Sequence, residues 1–352
     1  MALTQVQSGI LADSTQTYGM KNRIINGDMR IDQRNAGAAV ASGYGIDRWL
    51  CRSNSDGVLT FQQSSTAPDG FNYSMLVTTT TADASLSSTQ FVSLVQYIEG
   101  FNFADMNFGT AGADTVTLSF WVRSSLTGTF GGSLSNNALN RGYPFTYTIS
   151  VANTFEYKTV TITGDTSGTW VGATNGIGCR VTFGLGVGSA YSGTAGAWAA
   201  GEFMSPTGAT SVVGTSGATF YITGVQLEKG TTATSFDYRP YGTELALCQR
   251  YYYKSPQASN GEIFSINNAN GGLTGTTCFP VSMRASPTVT YGWTTPYSGN
   301  TFVRLLTAGT VTFTLTQNQV TSARVCNLYD NTSSGLVVGE IYGTYLTASA
   351  EL

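Results

Sequence analysis

The sequence predicts an all-β protein: a β-sandwich domain followed by a smaller C-terminal β-sandwich domain, with an extended N-terminal arm. Several segments alternate apolar and polar residues with the two-residue period of a half-buried strand. Turn-forming clusters of Gly, Asn and Asp separate these segments, and no helix follows each strand as a βαβ arrangement would require. The chain has 352 residues, of which 41% are hydrophobic, enough for two domains with their own cores.

The clearest predicted strand is 115–123. Its apolar residues Val116, Leu118, Phe120 and Val122 share one parity, and polar residues occupy most of the other. This alternation is typical of a strand with one buried face. Further predicted strands with the same kind of pattern are 145–151, 181–187 and 219–228.

Two features interrupt the simple strand pattern. In 219–228 the apolar parity changes across Gly224, which predicts a β-bulge at that glycine. Helical signals are restricted to 93–99, with about two turns, and 242–250. The absence of repeats with a period of 20–50 residues argues against a solenoid or propeller.

The domain boundaries follow from changes of pattern along the chain. Residues 1–20 are polar without a sustained period, which predicts an arm that becomes ordered against a partner. The first domain is predicted to cover 21–240 and the second 241–352. The first eight residues carry neither a basic n-region nor an apolar h-region, so we expect no Sec-type secretion and synthesis in a cytosol.

Charge and histidine content exclude several classes of function. The charged share is 11%, the net charge is −3 and no basic run occurs, so nucleic acid is not an expected partner. No stretch approaches the ~20 apolar residues that span a bilayer, and membrane insertion is not expected. The chain has no histidine, which excludes Ser-His-Asp and Cys-His catalysis and histidine zinc sites. Chemistry by paired carboxylates stays open.

The cysteines predict neither a metal site nor a disulfide scaffold. They are odd in number, far apart and without CxxC spacing, so buried free thiols that behave as small apolar residues are expected. No cofactor is expected either. The cysteines are Cys51, Cys179, Cys248, Cys278 and Cys326.

Several segments together resemble a widespread group of phage and prophage structural proteins, the tail-fibre or virion appendage proteins. These carry a jelly-roll module similar to carbohydrate-binding modules. The segments are KNRIINGDM at 21–29, YGIDRW at 44–49, QYIEG at 96–100, TLSFWVRS at 117–124, YITGVQLEKG at 221–230, ATSFDYRP at 233–240, ELALCQRYY at 244–252 and FPVSMRASPTV at 279–289.

The resemblance implies a jelly-roll first domain and a non-enzymatic structural component of a phage particle. It implies a homotrimer that attaches to other virion proteins, with exposed parts that contact host surface glycans. We expect the N-terminal arm to make the attachment. The expected location is the virion, after synthesis in the cytoplasm of the host bacterium. A capsid decoration, neck or adaptor protein without receptor binding is the alternative, because its sequence would look much the same.

Aromatic residues outside the core pattern are the candidate glycan contacts. Trp121 faces away from the apolar parity of its strand, and the others lie in polar connections or in the C-terminal block. An aromatic ring on an open face can stack on a sugar, but it can equally pack under its own loop or against another subunit. The candidates are Trp121, Trp170, Tyr191, Trp198, Trp293 and Tyr297.

A third function, a polysaccharide depolymerase, would need a pair of carboxylates, and Glu99 with Asp105 is the candidate pair. A solvated acid or an arginine partner is the alternative for both residues. Asp28, Asp47 and Asp56 carry oxygen ligands that suit Ca²⁺, but they lack regular ligand spacing, so no metal is expected.

Overall fold

The computed structural model describes residues 20–255, 263–267, 273–292, 301–304, 310–312, 317–320, 322–330 and 341–352. The chain divides into two compact units, Met1–Arg239 and Pro240–Leu352. The predicted all-β fold class is confirmed. The predicted arm, apart from its last residue, and both Trp293 and Tyr297 lie outside the described residues.

The strands of the first unit are, in chain order, β1 (Gly43–Ile46), β2 (Trp49–Ser53), β3 (Val58–Ser64), β4 (Ser74–Thr81), β5 (Phe91–Glu99), β6 (Val116–Ser124), β7 (Gly128–Ser135), β8 (Gly142–Ile149), β9 (Glu156–Ile162), β10 (Ile177–Val187), β11 (Ser192–Gly193), β12 (Ser205–Pro206) and β13 (Thr219–Lys229). Short 3₁₀ turns cover Gly100–Asn102, Ala104–Met106 and Ser189–Tyr191.

Two antiparallel sheets form the jelly-roll sandwich of this unit. Within the described residues, one sheet has the order β1-β2-β5-β10-β7-β8 and the other β3-β4-β13-β6-β9. Most neighbours other than the consecutive pairs β1-β2, β3-β4 and β7-β8 are distant in sequence, because the chain crosses between the sheets as a double-sheet jelly roll requires. The inward side chains form one apolar core, which includes Phe61, Phe120, Phe130, Phe145, Phe183 and Phe220.

The helix expected at 93–99 is wrong, because this segment belongs to β5. The strand lies inside its sheet between β2 and β10, and nearly all of its residues are buried on both faces. A strand buried on both faces loses the apolar–polar alternation, so its sequence cannot be told from a buried helix by periodicity.

The bulge expected at Gly224 is confirmed. The register between β13 and β6 shifts between Thr223 and Gln226. Gly224 has a φ of +60°, a conformation that glycine adopts without the strain of a Cβ. The shift returns Val225 and Leu227 to the core, where both are fully buried.

The second unit begins with α1 (Tyr241–Gln249), which confirms the helix expected at 242–250. Among the described residues no helix has the length and apolar character needed to cross a bilayer. The strands that follow are β14 (Tyr252–Lys254), β15 (Ile263–Asn267), β16 (Leu273–Cys278), β17 (Thr288–Gly292), β18 (Thr301–Arg304), β19 (Thr310–Thr312), β20 (Gln317–Val320), β21 (Val325–Asp330) and β22 (Ile341–Ser349).

The long last strand β22 organises this unit. Its C-terminal half pairs with β14 and β17, and its N-terminal half pairs with β15 and β18. Strands β16, β21 and β20 extend the sheet beyond β15. One strand therefore joins two groups of antiparallel partners.

The expectation of five buried thiols is wrong at one position. Cys278 is exposed, whereas the other four cysteines are buried. Burial raises the pKa of the Cys51 and Cys179 thiols far above the ordinary value. These two thiols therefore stay protonated and serve as small apolar core residues.

Candidate functional site

A cleft of about 630 Å³ opens on the outer face of the β3-β4-β13-β6-β9 sheet of the first unit. Aromatic side chains from strands and loops dominate its lining, with polar groups between them. The lining residues are Asp69, Phe71, Ser119, Trp121, Tyr157, Gly224, Ala233, Thr234, Ser235, Phe236 and Tyr238.

Two aromatic side chains from neighbouring strands form the floor of the cleft. Trp121 on β6 pairs across the sheet with Tyr157 on β9, and their ring centroids lie 5.4 Å apart at an angle of 49°. Because Phe120 and Val122 point into the core, strand alternation sends Trp121 to the outer face, as the sequence predicts. Tyr157 is 44% exposed, so part of the floor is open to a ligand.

Three further aromatic side chains form one wall. Phe71 packs against Phe236 and Tyr238 at ring distances of 5.1 and 5.5 Å, and the latter two lie 4.9 Å apart. The Tyr238 hydroxyl donates a hydrogen bond of 2.9 Å to the carbonyl of Gly70. The wall therefore ties the loop after β3 to the segment after β13.

A buried carboxylate holds the wall segment 233–238 in place. Glu228 on β13 is 2% exposed and accepts hydrogen bonds from the Thr234 amide (2.9 Å), the Thr234 hydroxyl (2.6 Å) and the Gln226 side-chain amide (2.8 Å). Gln226 in turn accepts from the Asp237 amide at 2.8 Å. The segment is thus fixed by charge-assisted hydrogen bonds at its start and a neutral one near its end.

Gly224 brings the wall close to the floor. A Cβ at this position would lie 2.7 Å from Cζ of Phe71 and 3.1 Å from Cδ1 of Trp121. The bulge therefore serves the cleft as well as the core register, because its glycine lets the two rings approach.

Gly224→Ala is expected to destabilise the unit by about 1–3 kcal/mol, through the positive φ and through crowding of Phe71. Thermal unfolding followed by circular dichroism measures the change. Gly217→Ala is the matched control, because Gly217 also has a positive φ (+76°) but has open space around its Cβ position. Equal losses in the two variants would contradict a packing role for Gly224.

The polar groups of the cleft are hydroxyl groups and a carboxylate. Asp69 is the one carboxylate among the lining residues, and no lysine or arginine lines this cleft in the described part of the chain. Partial burial, with a smaller contribution from the Asp28 carboxylate, raises the pKa of Tyr238, so its phenol stays a donor at neutral pH.

The structure brings one of the six predicted aromatic residues, Trp121, into this cleft. Trp170 and Trp198 lie elsewhere in the unit, 5.5 Å apart in an aromatic cluster with Phe103, Phe108 and Tyr143. Their indole N–H groups are used within the protein.

The indole N–H groups of Trp170 and Trp198 donate hydrogen bonds to oxygen atoms of the same unit. Trp170 donates to the Asp165 carboxylate at 3.2 Å, and Trp198 donates to the carbonyl of Thr163 at 2.7 Å. Tyr191 packs edge-on against Phe91 at 5.5 Å. All three aromatic residues thus contact their own domain, and a glycan contact at these positions stays a prediction.

Three of the acidic residues that the sequence singles out have side-chain partners within the protein: Asp28, Asp47 and Asp105. Asp105 pairs with Arg23 at 2.7 Å and Asp28 pairs with Arg30 at 3.0 Å, while Glu99 is buried. Asp47 is fully buried and accepts a hydrogen bond from the Gln33 side chain, and the Asp56 amide donates to Asp83. Among the described residues, no group of three or more His, Cys, Asp or Glu side chains is arranged to hold a metal ion.

Four aromatic residues of the cleft are not among those that the sequence predicts: Phe71, Tyr157, Phe236 and Tyr238. Phe236 and Tyr238 belong to the ATSFDYRP segment that carries the family resemblance, so their alternation around Asp237 was the available signal. Tyr157 becomes visible only when the β6–β9 register places it beside Trp121.

Comparison with known proteins gives structural matches alone. No family model and no curated protein matches the sequence. The solved structures that match include the enzymatically active domain of tailspike protein 4 of bacteriophage CBA120, at 13% identity, with a TM-score of 0.34 and coverage of 59% of this chain and 21% of that chain. The chain thus spans about a fifth of the length of that tailspike chain.

Two other matches cover nearly the whole of the similar protein. One is a candidate sugar-binding protein of Bacteroides thetaiotaomicron, at 13% identity, with a TM-score of 0.35 and coverage of 60% and 100%. The other is the family 11 carbohydrate-binding module of a cellulosomal cellulase of Clostridium thermocellum, at 12% identity, with a TM-score of 0.29 and coverage of 57% and 99%. With TM-scores below 0.5, these matches carry no argument about function.

Proposed function

We propose that this chain is a structural component of a phage particle, an appendage of the tail-fibre type, and that its first unit binds a host surface glycan in the cleft over Trp121. The observation that supports glycan binding is the aromatic floor of Trp121 and Tyr157 on the outer sheet face. One face of a pyranose ring presents C–H groups, which the electron-rich face of an aromatic ring attracts.

The rest of the cleft supplies what a sugar ring requires. Asp69 is exposed and offers two acceptor oxygens for hydroxyl groups. The wall of Phe71, Phe236 and Tyr238 covers one side of the floor and limits how a glycan chain can enter. A few placed polar groups in an apolar, preformed cleft are the usual composition of a small-molecule site.

Trp121→Ala is expected to weaken glycan binding by roughly tenfold or more, because loss of a stacked aromatic costs about 1–3 kcal/mol. Binding is measured on an array of bacterial surface polysaccharides and quantified by calorimetry on the best binder. Phe101→Ala is the control, since Phe101 is 57% exposed in the same unit and does not line the cleft. If both variants bind as well as the wild type, the cleft is not the site.

The virion role draws its support from the sequence resemblance, and so does assembly as a homotrimer attached through the N-terminal arm. Cryo-electron microscopy of the particle with this chain located in the map tests both. A projecting trimer on the tail is the expected result. Density flat on the capsid or inside the neck would replace the appendage by a decoration or adaptor protein.

A further inference from the structure

Arg123 continues the row of outward side chains that floors the cleft. Ser119 and Trp121 of β6 line the cleft, and Arg123 is the next outward residue, about 7 Å further along the strand. Its guanidinium lies over the rings of Tyr221 (4.9 Å) and Phe155 (5.9 Å). Tyr221 is the partner of Arg123 on β13. The rings of Tyr221 and Phe155 therefore hold the guanidinium in place on the outer face of the sheet.

This guanidinium has no anionic partner in the part of the chain that the structure describes. Its Nε is buried and without a hydrogen bond, and its contacts are with the two aromatic rings. Arg141, by contrast, makes two hydrogen bonds to Asp165, at 2.8 and 2.6 Å. Ring contacts stabilise the charge but leave the buried Nε–H donor without an acceptor, and an unpaired buried donor is costly.

The geometry points to Arg123 as a subsite for an anionic group of the glycan, which makes the ligand of the cleft an acidic polysaccharide. This inference rests on the proposed glycan-binding function. A carboxylate or phosphate matches the planar fork of a guanidinium with two parallel hydrogen bonds. The rings of Tyr221 and Phe155 restrict the guanidinium before the ligand arrives, which lowers the entropic cost of binding.

The charges of the site also set the orientation of the ligand. Phe71 packs over Gly224, which lies beside the Ser119–Trp121 stretch of β6, so this part of the wall stands towards the Ser119 end, and Asp69 belongs to the same loop between β3 and β4. Arg123 lies beyond Trp121 on the other side. An acidic substituent is repelled at the Asp69 end and attracted at the Arg123 end. The sugar stacked on Trp121 is therefore neutral, and the residue next to it carries the negative charge.

The test compares each acidic polysaccharide with its own neutral form. Bacterial capsular and O-polysaccharides are arrayed in the native form and after reduction of their carboxyl groups or removal of their phosphates, and polygalacturonate with its carboxyl-reduced product serves as a defined pair. The wild type is expected to prefer the native acidic form by about tenfold or more. Arg123→Gln is expected to remove this preference.

Arg52→Gln is the matched control. Arg52 also lies over an aromatic ring, that of Phe91 at 5.1 Å, but it belongs to β2 in the opposite sheet. This variant is expected to keep the preference. Because the preference is a ratio measured within one variant, a general loss of stability in Arg123→Gln does not change it.

The two proposals fail in different ways. If Trp121→Ala abolishes binding while Arg123→Gln keeps the full preference for acidic forms, the anionic subsite is overturned and the glycan cleft stands. If the wild type binds neutral and acidic forms equally, the subsite is overturned as well. If the wild type binds neither form, the proposed glycan-binding function itself is overturned.

Discussion

Trp49→Ala is expected to destabilise the first unit by about 3–5 kcal/mol, the range for truncating a large core aromatic. Trp49 on β2 is fully buried, and its ring lies 6.4 Å from that of Phe183 in the core. Its indole N–H donates to the carbonyl of Asn26 at 3.0 Å. The substitution therefore leaves a large cavity and removes one of the hydrogen bonds to the Asn26 carbonyl, which keeps the Met29 amide as a donor at 3.2 Å.

Loss of the hydrogen bond between the Trp49 indole and the Asn26 carbonyl affects more of the unit than the cavity does. Asn26 donates from its side chain to the carbonyls of Ile31 and Asp47 at 2.8 and 2.9 Å, and it has a positive φ of 58°. The neighbouring Gly27 accepts from the Val225 amide on β13. Loss of the Trp49 contact loosens a segment that connects both sheets at one end of the sandwich.

Urea unfolding followed by far-ultraviolet circular dichroism measures this loss. Trp121→Ala is the matched control, because it is the same substitution at a partly exposed tryptophan of the same unit, and we expect it to cost less than about 1 kcal/mol. A Trp49→Ala protein within 1 kcal/mol of the wild type would show that the segment around Asn26 holds without the indole.

Glu228→Ala is expected to cost about 2–4 kcal/mol, because it leaves the Thr234 amide and the Gln226 side chain without their charged acceptor. Since the wall segment 233–238 starts at these hydrogen bonds, glycan binding is expected to fall by about tenfold as well. Urea unfolding gives the first quantity and calorimetric titration gives the second.

Glu228→Gln separates hydrogen bonding from charge. In the wild type one carboxylate oxygen accepts from the Thr234 amide and from Gln226, and the other accepts from the Thr234 hydroxyl. A glutamine carbonyl can replace the first oxygen, and its amide can donate to the hydroxyl, which then acts as acceptor. We expect this variant to keep most of the stability and binding. If it behaves like Glu228→Ala, the negative charge itself is required.

The sequence predicted strands in which apolar residues alternate with small or polar ones, and it failed at β5, where apolar residues occupy both faces. The alternation in 115–123 identified β6 and the outward side of Trp121, and the parity change in β13 identified the bulge at Gly224. The segment 93–99, inside the six-stranded sheet, was taken for a helix because it is buried on both faces. Periodicity gives no strand signal where apolar residues occupy both faces of a strand.

For the candidate site, the sequence identified Trp121 and no other member of the cleft. Tyr157 lies 36 residues further along the chain, and only the pairing of β6 with β9 brings the two rings within 5.4 Å. Phe71 reaches the cleft from a loop between two strands of the same sheet. No local pattern carries such contacts, because they depend on sheet order and register.

By itself the sequence determined an all-β chain with little charge and no histidine, and it determined that Trp121 turns away from the core. Those conclusions follow from composition and from the two-residue period of a strand, which are local properties. The tertiary structure alone decided that Glu228 anchors the wall, that Gly224 lets Phe71 approach Trp121, and that Arg123 has aromatic neighbours in place of an acid. These depend on contacts between residues as many as 153 positions apart, such as Phe71 and Gly224, which only the folded sheets bring together.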